Sequence, residues 1–350
     1  MRLLTISEIR TYRRCPREHH IRYGLGYRSM GRALSLRFGS LSHCGLETWW
    51  TTPDESRWTE TEATVLRAAS DPKCTVDPFE LEKAREMLLA YHARWSREEL
   101  ETVATEQQFE CPLINPETGY PSKTFMVGGK IDVIVRDADG RLWIVEHKTS
   151  ASDITAGSDY WKLLQLDNQV SMYFTGGRAL GYEVAGCLYD VLGKPVFRPS
   201  QIPILDSDGV KIVYDQSGYR VRTKDGKKWR ETADTSAGYV VQTRPETPEE
   251  YGARVRAALA ADSARYFVRG TVVRLAQEEK DAAWDAWTTA KQIHVGDRAR
   301  QWPRNPDACV RYQRTCDYFG YCTGTECLED ETKFTRLEDP HEELTRPVAA

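Results

Sequence analysis

Two stretches of the chain read as buried β-strand, and each carries charges where apolar residues are expected. One runs from Phe125 to Val135 and contains Asp132. The other runs from Leu142 to Lys148 and contains Glu146 and Lys148. Between them, Asp137-Ala-Asp-Gly140 is turn chemistry with glycine last, which predicts a hairpin closed by a left-handed glycine. Pairing Asp137 with Arg141 and counting back along both strands sets Asp132 opposite Glu146. Strand side chains alternate, so Lys148 shares the face of Glu146.

The apolar period elsewhere predicts helices over 5–23, 33–50, 77–98 and 158–176, the last ended by Gly176-Gly177. The first helix starts at Thr5 or Ser7, with Glu8 placed for a capping box, and Pro16 interrupts it after Cys15. Strand-like text fills 101–113 and 184–192. Turn signals between short alternating strands mark 193–243 as a β-rich insertion. Helix returns over 247–294 with a strand at 266–274. A charged, Pro-containing tail from 329 to 350 reads as loose. The expected organisation is α/β: one elaborated domain over 1–328, its core at about 1–192 and 244–328.

The chain has 350 residues, 40% of them hydrophobic, enough for a substantial core. No apolar run reaches membrane-spanning length, and the N-terminus lacks a signal-peptide pattern, so a soluble cytoplasmic protein is expected. A net charge of −4 gives no global pull toward nucleic acid, and any such binding must be local. The first 37 residues offer that, with nine arginines (2, 10, 13, 14, 17, 22, 28, 32 and 37) against Glu8 and Glu18. They read equally as a phosphate grip, with Arg10, Arg13, Arg14 and Arg17 foremost, or as a solvated helix face.

Two carboxylates and an ammonium converging on an apolar sheet are costly unless they pair or hold a cation. Asp and Glu suit hard divalent ions such as Mg²⁺ or Mn²⁺. The alternative is an exposed strand end with solvated charges. Nine cysteines without an export signal argue against a disulfide framework. Cys44, Cys74, Cys111 and Cys187 are scattered singly and read as small buried hydrophobes. Cys309, Cys316, Cys322 and Cys327 crowd together.

The order strand, Asp132, turn, strand, Glu146-His-Lys148, helix resembles the core of the PD-(D/E)XK nuclease superfamily, whose fold is a restriction-endonuclease-like small mixed sheet flanked by helices. Gly39-x-x-x-His43 and Gln169-x-x-x-Tyr173 resemble motifs of its RecB-like branch. The resemblance implies a metal shell of His43, Asp132 and Glu146, with Lys148 orienting the attacking water and Gln169 and Tyr173 supporting the substrate. Cys15, in a Tyr-x-x-Cys-Pro context, with Cys309, Cys316 and Cys322 is similar to the 4Fe-4S set of AddB-like and CRISPR-adaptation-type members. Such a cluster would staple the N- and C-terminal segments together. Cys327 is a substitute ligand, and Zn²⁺ in a Cys₄ site the competing reading.

The function so implied is a metal-dependent DNA exonuclease acting on single strands or ends, in recombination, repair or phage DNA processing, encoded by a bacterium, archaeon or phage. The alternatives are a CRISPR-type processing nuclease working with protein partners and a non-catalytic Fe–S DNA-binding module.

Overall fold

A computed structural model describes residues 1–30, 33–71, 76–311, 314–341 and 344, with backbone alone at 33–37. Arg32 and Cys74 therefore lie outside the described residues, as does the side chain of Arg37. The strands are β1 (Arg2–Thr5), β2 (Tyr27–Ser29), β3 (Glu101–Ile114), β4 (Pro121–Arg136), β5 (Leu142–Ser150) and β6 (Val184–Gly193). They continue as β7 (Gln201–Pro203), β8 (Val213–Tyr214), β9 (Val240–Val241), β10 (Thr243–Pro245), β11 (Phe267–Val272), β12 (Val310–Arg311), β13 (Arg314–Thr315) and β14 (Phe334–Arg336). The helices are α1 (Ile6–Arg14), α2 (Pro16–His19), α3 (Ala33–Thr51), α4 (Arg57–Ala69), α5 (Pro78–Trp95) and α6 (Asp159–Leu164). After them come α7 (Asn168–Ala179), α8 (Pro248–Ala261), α9 (Ser263–Tyr266), α10 (Ala276–Ala299) and α11 (Phe319–Thr323).

The central sheet runs β1-β4-β5-β6-β11, with β3 paired to β4. It is mixed: β1 lies parallel to β4 and β6 parallel to β5, while β3–β4, β4–β5 and β6–β11 are antiparallel. Because β3 occupies one edge of β4, β1 and β5 must share the other. The pairing of β1 ends at Thr5–Gly128 and that of β5 begins at Val133–Val145, so β4 is unpaired on this edge between the two. Asp132 sits in that fork.

Successive residues Ile144 and Val145 point to opposite faces and join different cores. One core packs α1, α7 and α10 against the sheet through Ile9, Val170 and Ile293. The other packs α3, α5 and α8 through Trp50, Tyr91 and Val255. The result is a helix–sheet–helix sandwich. Among the described residues, no helix is long and apolar enough to cross a membrane.

The helices differ from expectation in three places. Thr5 caps α1 by accepting from the Glu8 N–H, but the helix ends at Arg14 because Pro16 has no N–H to continue it. The single helix expected over 158–176 is two, because Asp167 caps a new start at α7. Gly176-Gly177 does not end α7. A Cβ on Gly176 would lie 2.4 Å from the Phe109 ring, so this glycine lets helix and sheet touch. Further along, residues 194–246 form two two-stranded ribbons, β7–β10 and β8–β9. Within the C-terminal segment, β14 pairs with β2 and Phe334 is buried.

Candidate active site

The hairpin has the expected register. The Asp137 N–H donates to the Arg141 carbonyl at 3.0 Å, Gly140 adopts φ +82°, and Arg136 pairs with Leu142. Beyond Val133–Val145 the ladder opens, and the Asp132 carboxylate takes the place of a backbone acceptor. Its Oδ2 accepts from the His147 N–H at 2.9 Å. Glu146 follows the apolar side of β5 inward and is 1% exposed. Lys148, two residues on, closes an ion pair with Glu146 Oε1.

Helix α7 completes this side. Gln169 Nε2 donates to Glu146 Oε1 at 2.9 Å and to the Tyr173 hydroxyl at 2.5 Å, as expected of residues one helical turn apart. Helix α3 approaches from elsewhere, placing His43 Nδ1 3.7 Å from Asp132 Oδ2. His43, Asp132, Glu146, Lys148, Gln169 and Tyr173 thus fall in one place, drawn from two strands and two helices.

The charges there are unbalanced. Burial and the neighbouring Asp132 push the Glu146 carboxyl up to about 8. Burial would also raise Asp132, but His43, Lys148 and the His147 N–H hold it below the usual carboxylate range. Burial lowers His43 to about 4 against the pull of Asp132, leaving a neutral imidazole. Lys148 is raised because Glu146 and Asp132 outweigh its own burial. A divalent cation takes deprotonated oxygens and a neutral ring nitrogen: Asp132 and His43 meet that as they stand, and Glu146 would release its proton to the solvent on binding one. Glu146 Oε2 is buried without a hydrogen-bond partner, which an ion would satisfy. No group of three or more His, Cys, Asp or Glu side chains among the described residues is gathered closely enough to hold a metal as it stands.

Sequence reasoning missed two features. Flanking pairs Thr105–Val133 and Gln107–Ile131 set Glu106 opposite Asp132, where it adopts φ +49° and pairs with Lys130. Burial and the nearby Asp132 raise its carboxyl despite Lys130. On the far face of β5, His147 Nδ1 lies 3.2 Å from Asp190 Oδ2. Arg269 and the Tyr91 hydroxyl reach the same oxygen at 3.1 and 2.7 Å. No motif spacing could reveal either: the first depends on the bulged register of β3 on β4, and the second on pairing of β5, β6 and β11, which lie far apart in sequence.

The arginines divide. Arg10 donates to Gln169 Oε1 at 3.4 Å and pairs with Asp167, and Arg13 pairs with Asp285 at 3.1 Å. Arg17 donates to the Trp302 carbonyl. Arg14 turns away to the buried Glu18.

Contacts at Arg304 and Asn305 link the segments that carry the cysteines. Asn305 donates to the carbonyl of Arg14, beside Cys15, and its own carbonyl accepts from Cys309 Sγ. The Cys316 N–H donates to the Cys309 carbonyl at 2.7 Å, and Arg304 reaches the Cys322 carbonyl at 3.2 Å. Burial pushes the Cys316 thiol up to about 11, with Cys309 adding to it. Cys322 is raised by burial and by Cys15 and Cys309. Cys15, Cys309, Cys316 and Cys322 are free thiols, and they too are not gathered closely enough to hold a metal as they stand. Cys327 is exposed and instead donates to Glu329 at 2.5 Å.

No protein of curated function matches the chain. A solved structure described as the crystal structure of SSO0001 is 14% identical, covering 65% of this chain and 73% of that one, with a TM-score of 0.20. That superposition is too poor to add to the fold description. The family model of the PD-(D/E)XK nuclease superfamily matches residues 3–323, which span the sheet, the fork at Asp132 and the cysteines. The chain belongs to the PD-(D/E)XK nuclease superfamily.

Proposed function

We propose that the protein is a metal-dependent deoxyribonuclease that shortens DNA from single strands or ends. The observation that carries this reading is Glu146, a nearly fully buried carboxylate set against Asp132 and Lys148 with one oxygen unpartnered. In this reading His43, Asp132 and Glu146 hold Mg²⁺ or Mn²⁺. The bound cation supplies Lewis-acid polarisation of the phosphodiester and a readily ionised water. Lys148 holds its ammonium beside Glu146, where it orients the attacking water and offsets charge building on the phosphate. Gln169 and Tyr173 fix the Glu146 carboxylate, and Gln169 is tied in turn to Arg10.

The cysteine set supports a 4Fe-4S cluster held by Cys15, Cys309, Cys316 and Cys322, joining α1 to the C-terminal segment. Purified aerobically, the protein should be brown and contain iron, whereas colourless protein with stoichiometric zinc would assign the site to Zn²⁺ instead. Recombination, repair or phage DNA processing would each employ such an activity.

End-labelled single-stranded and duplex DNA incubated with Mg²⁺ or Mn²⁺ tests the reading. The expected result is stepwise shortening from an end. Cutting of closed circular DNA would overturn the exonuclease assignment. Tight DNA binding without turnover in any divalent metal is the outcome of a binding module and would overturn the enzymatic one.

A further inference from the structure

Residues 194–246 leave the sheet at its catalytic end. Strands β5 and β6 run parallel, with Lys148 beside Val191 and Ser150 beside Gly193, and the Lys194 N–H donates to the Ser150 carbonyl at 2.6 Å. At about 3.3 Å per strand residue, the insertion starts roughly 7 Å past Lys148 along β5. Its base is anchored. The Glu246 carboxylate accepts from the Ser200 N–H at 2.9 Å and from Arg254 of α8 at 2.7 Å. The Lys194 ammonium lies 4.3 Å from the centre of the Phe38 ring on α3, the helix that carries His43.

Beyond that base, one hairpin concentrates positive charge. Between 220 and 230, Arg220, Arg222, Lys224, Lys227, Lys228 and Arg230 face a single acid, Asp225, in a chain whose net charge is −4. The turn is closed locally: the Thr223 N–H donates to the Lys228 carbonyl at 2.9 Å and Gly226 adopts φ +69°. The Arg220 and Arg222 guanidiniums lie 4.3 and 4.2 Å from the centre of the Trp229 ring, which holds both side chains in place. Asp225 is engaged within the turn, accepting from the Thr223 hydroxyl at 2.5 Å and the Lys227 N–H at 3.2 Å.

The arginines of α1 are answered by carboxylates, Arg10 by Asp167, Arg13 by Asp285 and Arg14 by Glu18. In the hairpin only Arg220 and Arg230 are, by Asp206 and Asp234. Arg222, Lys224, Lys227 and Lys228 are exposed and have no ion-pair partner among the described residues. Like charges crowded about one turn repel one another, an arrangement that a polyanion relieves.

We infer that this hairpin is a second contact for the DNA substrate, gripping its phosphate backbone outside the reacting centre. That DNA is the polyanion concerned rests on the nuclease reading. Ammonium groups on a turn meet phosphates as point charges, so the grip is indifferent to base sequence and strongly dependent on salt. Trp229 gives its ring to two guanidiniums instead of a base. A DNA held here as well as at Glu146 stays bound while its end is cut.

Fluorescence anisotropy in EDTA over a series of salt concentrations, with a labelled duplex carrying a single-stranded overhang, reads this grip apart from cleavage. Joint replacement Lys224→Ala, Lys227→Ala and Lys228→Ala should weaken binding roughly tenfold or more at low salt and lower the salt slope by about two to three counterions. Lys224→Arg, Lys227→Arg and Lys228→Arg together should keep both affinity and slope. Circular dichroism of each variant secures the fold. Lys123→Ala with Lys280→Ala and Lys291→Ala removes three exposed cations elsewhere and should leave the slope nearly unchanged. Unchanged affinity and slope in the hairpin alanine variant would overturn the inference and leave the hairpin to an acidic protein partner. Equal losses in the hairpin and control variants would overturn it too, reducing the effect to overall charge. Binding in EDTA is independent of hydrolysis, so a failure of the nuclease reading shows separately, in the metal-dependent assay.

Discussion

Glu146 and Asp190 are buried carboxylates on neighbouring strands, and the protein treats them in opposite ways. Each leaves one oxygen without a partner. Asp190 is nevertheless balanced: burial would raise it, but Arg269 and His147 draw it down to about 2. Glu146 faces a like charge in Asp132, and burial beside it keeps the carboxyl near 8. A balanced buried charge serves the fold, whereas an unbalanced one in a cluster of donors marks chemistry. Asp190→Asn should therefore cost about 1–3 kcal/mol at neutral pH by removing the buried partner of Arg269 and leaving it the part-exposed Glu98. The pH sign follows from a native pKa below the unfolded one of 3.8: the stabilisation is complete above that value and disappears as pH falls through about 2. Urea titrations of both proteins across pH would show the gap narrowing in acid, and a gap constant with pH would refute this balance. The burial of Glu146 was legible because its charge interrupts an apolar run. The balance at Asp190 was not, since Arg269 is 79 residues away.

At the scale of elements, the site depends on α7 lying close enough to β5 for Gln169 to reach Glu146. Gly176 permits this by giving Phe109 room. Replacing a helical glycine by alanine ordinarily stabilises by up to about 1 kcal/mol, but here the new Cβ would strike backbone-anchored ring carbons at 2.4 Å. Phe109 is itself 3% exposed and has nowhere to move. Gly176→Ala should accordingly destabilise by about 1–3 kcal/mol, measurable by urea unfolding, and a stabilised variant would contradict the close-approach account. From the sequence alone the Gly176-Gly177 pair reads as a helix stop, because local propensity carries no information about a strand packed above. The β4–β5 hairpin was the converse case. Asp137, Gly140 and Arg141 specify the turn locally, so its register and the place of Asp132 followed by counting.

Over the whole molecule, N-terminal and C-terminal segments pack on each other and on the sheet. The N-terminal β1 enters the sheet beside β4, β2 pairs with β14, and His20 stacks on Trp302 with centroids 3.4 Å apart. Cys15 was linked to the distant cysteines by resemblance, whereas the supporting contacts are tertiary and had no signature in spacing. Strand β1 and helix α4 were absent from the sequence reading, β1 being only four residues long. The fork left in the sheet where β1 and β5 part keeps Asp132 out of the β4–β5 ladder. Its role is read most directly by measuring Mn²⁺ binding and Mn²⁺-dependent DNA cleavage side by side in Asp132→Ala and Lys148→Ala. The expected outcome is loss of both properties in Asp132→Ala. Lys148→Ala should retain the ion but lose cleavage by about 10²-fold or more. Undiminished cleavage in either variant would contradict the assignment of this site.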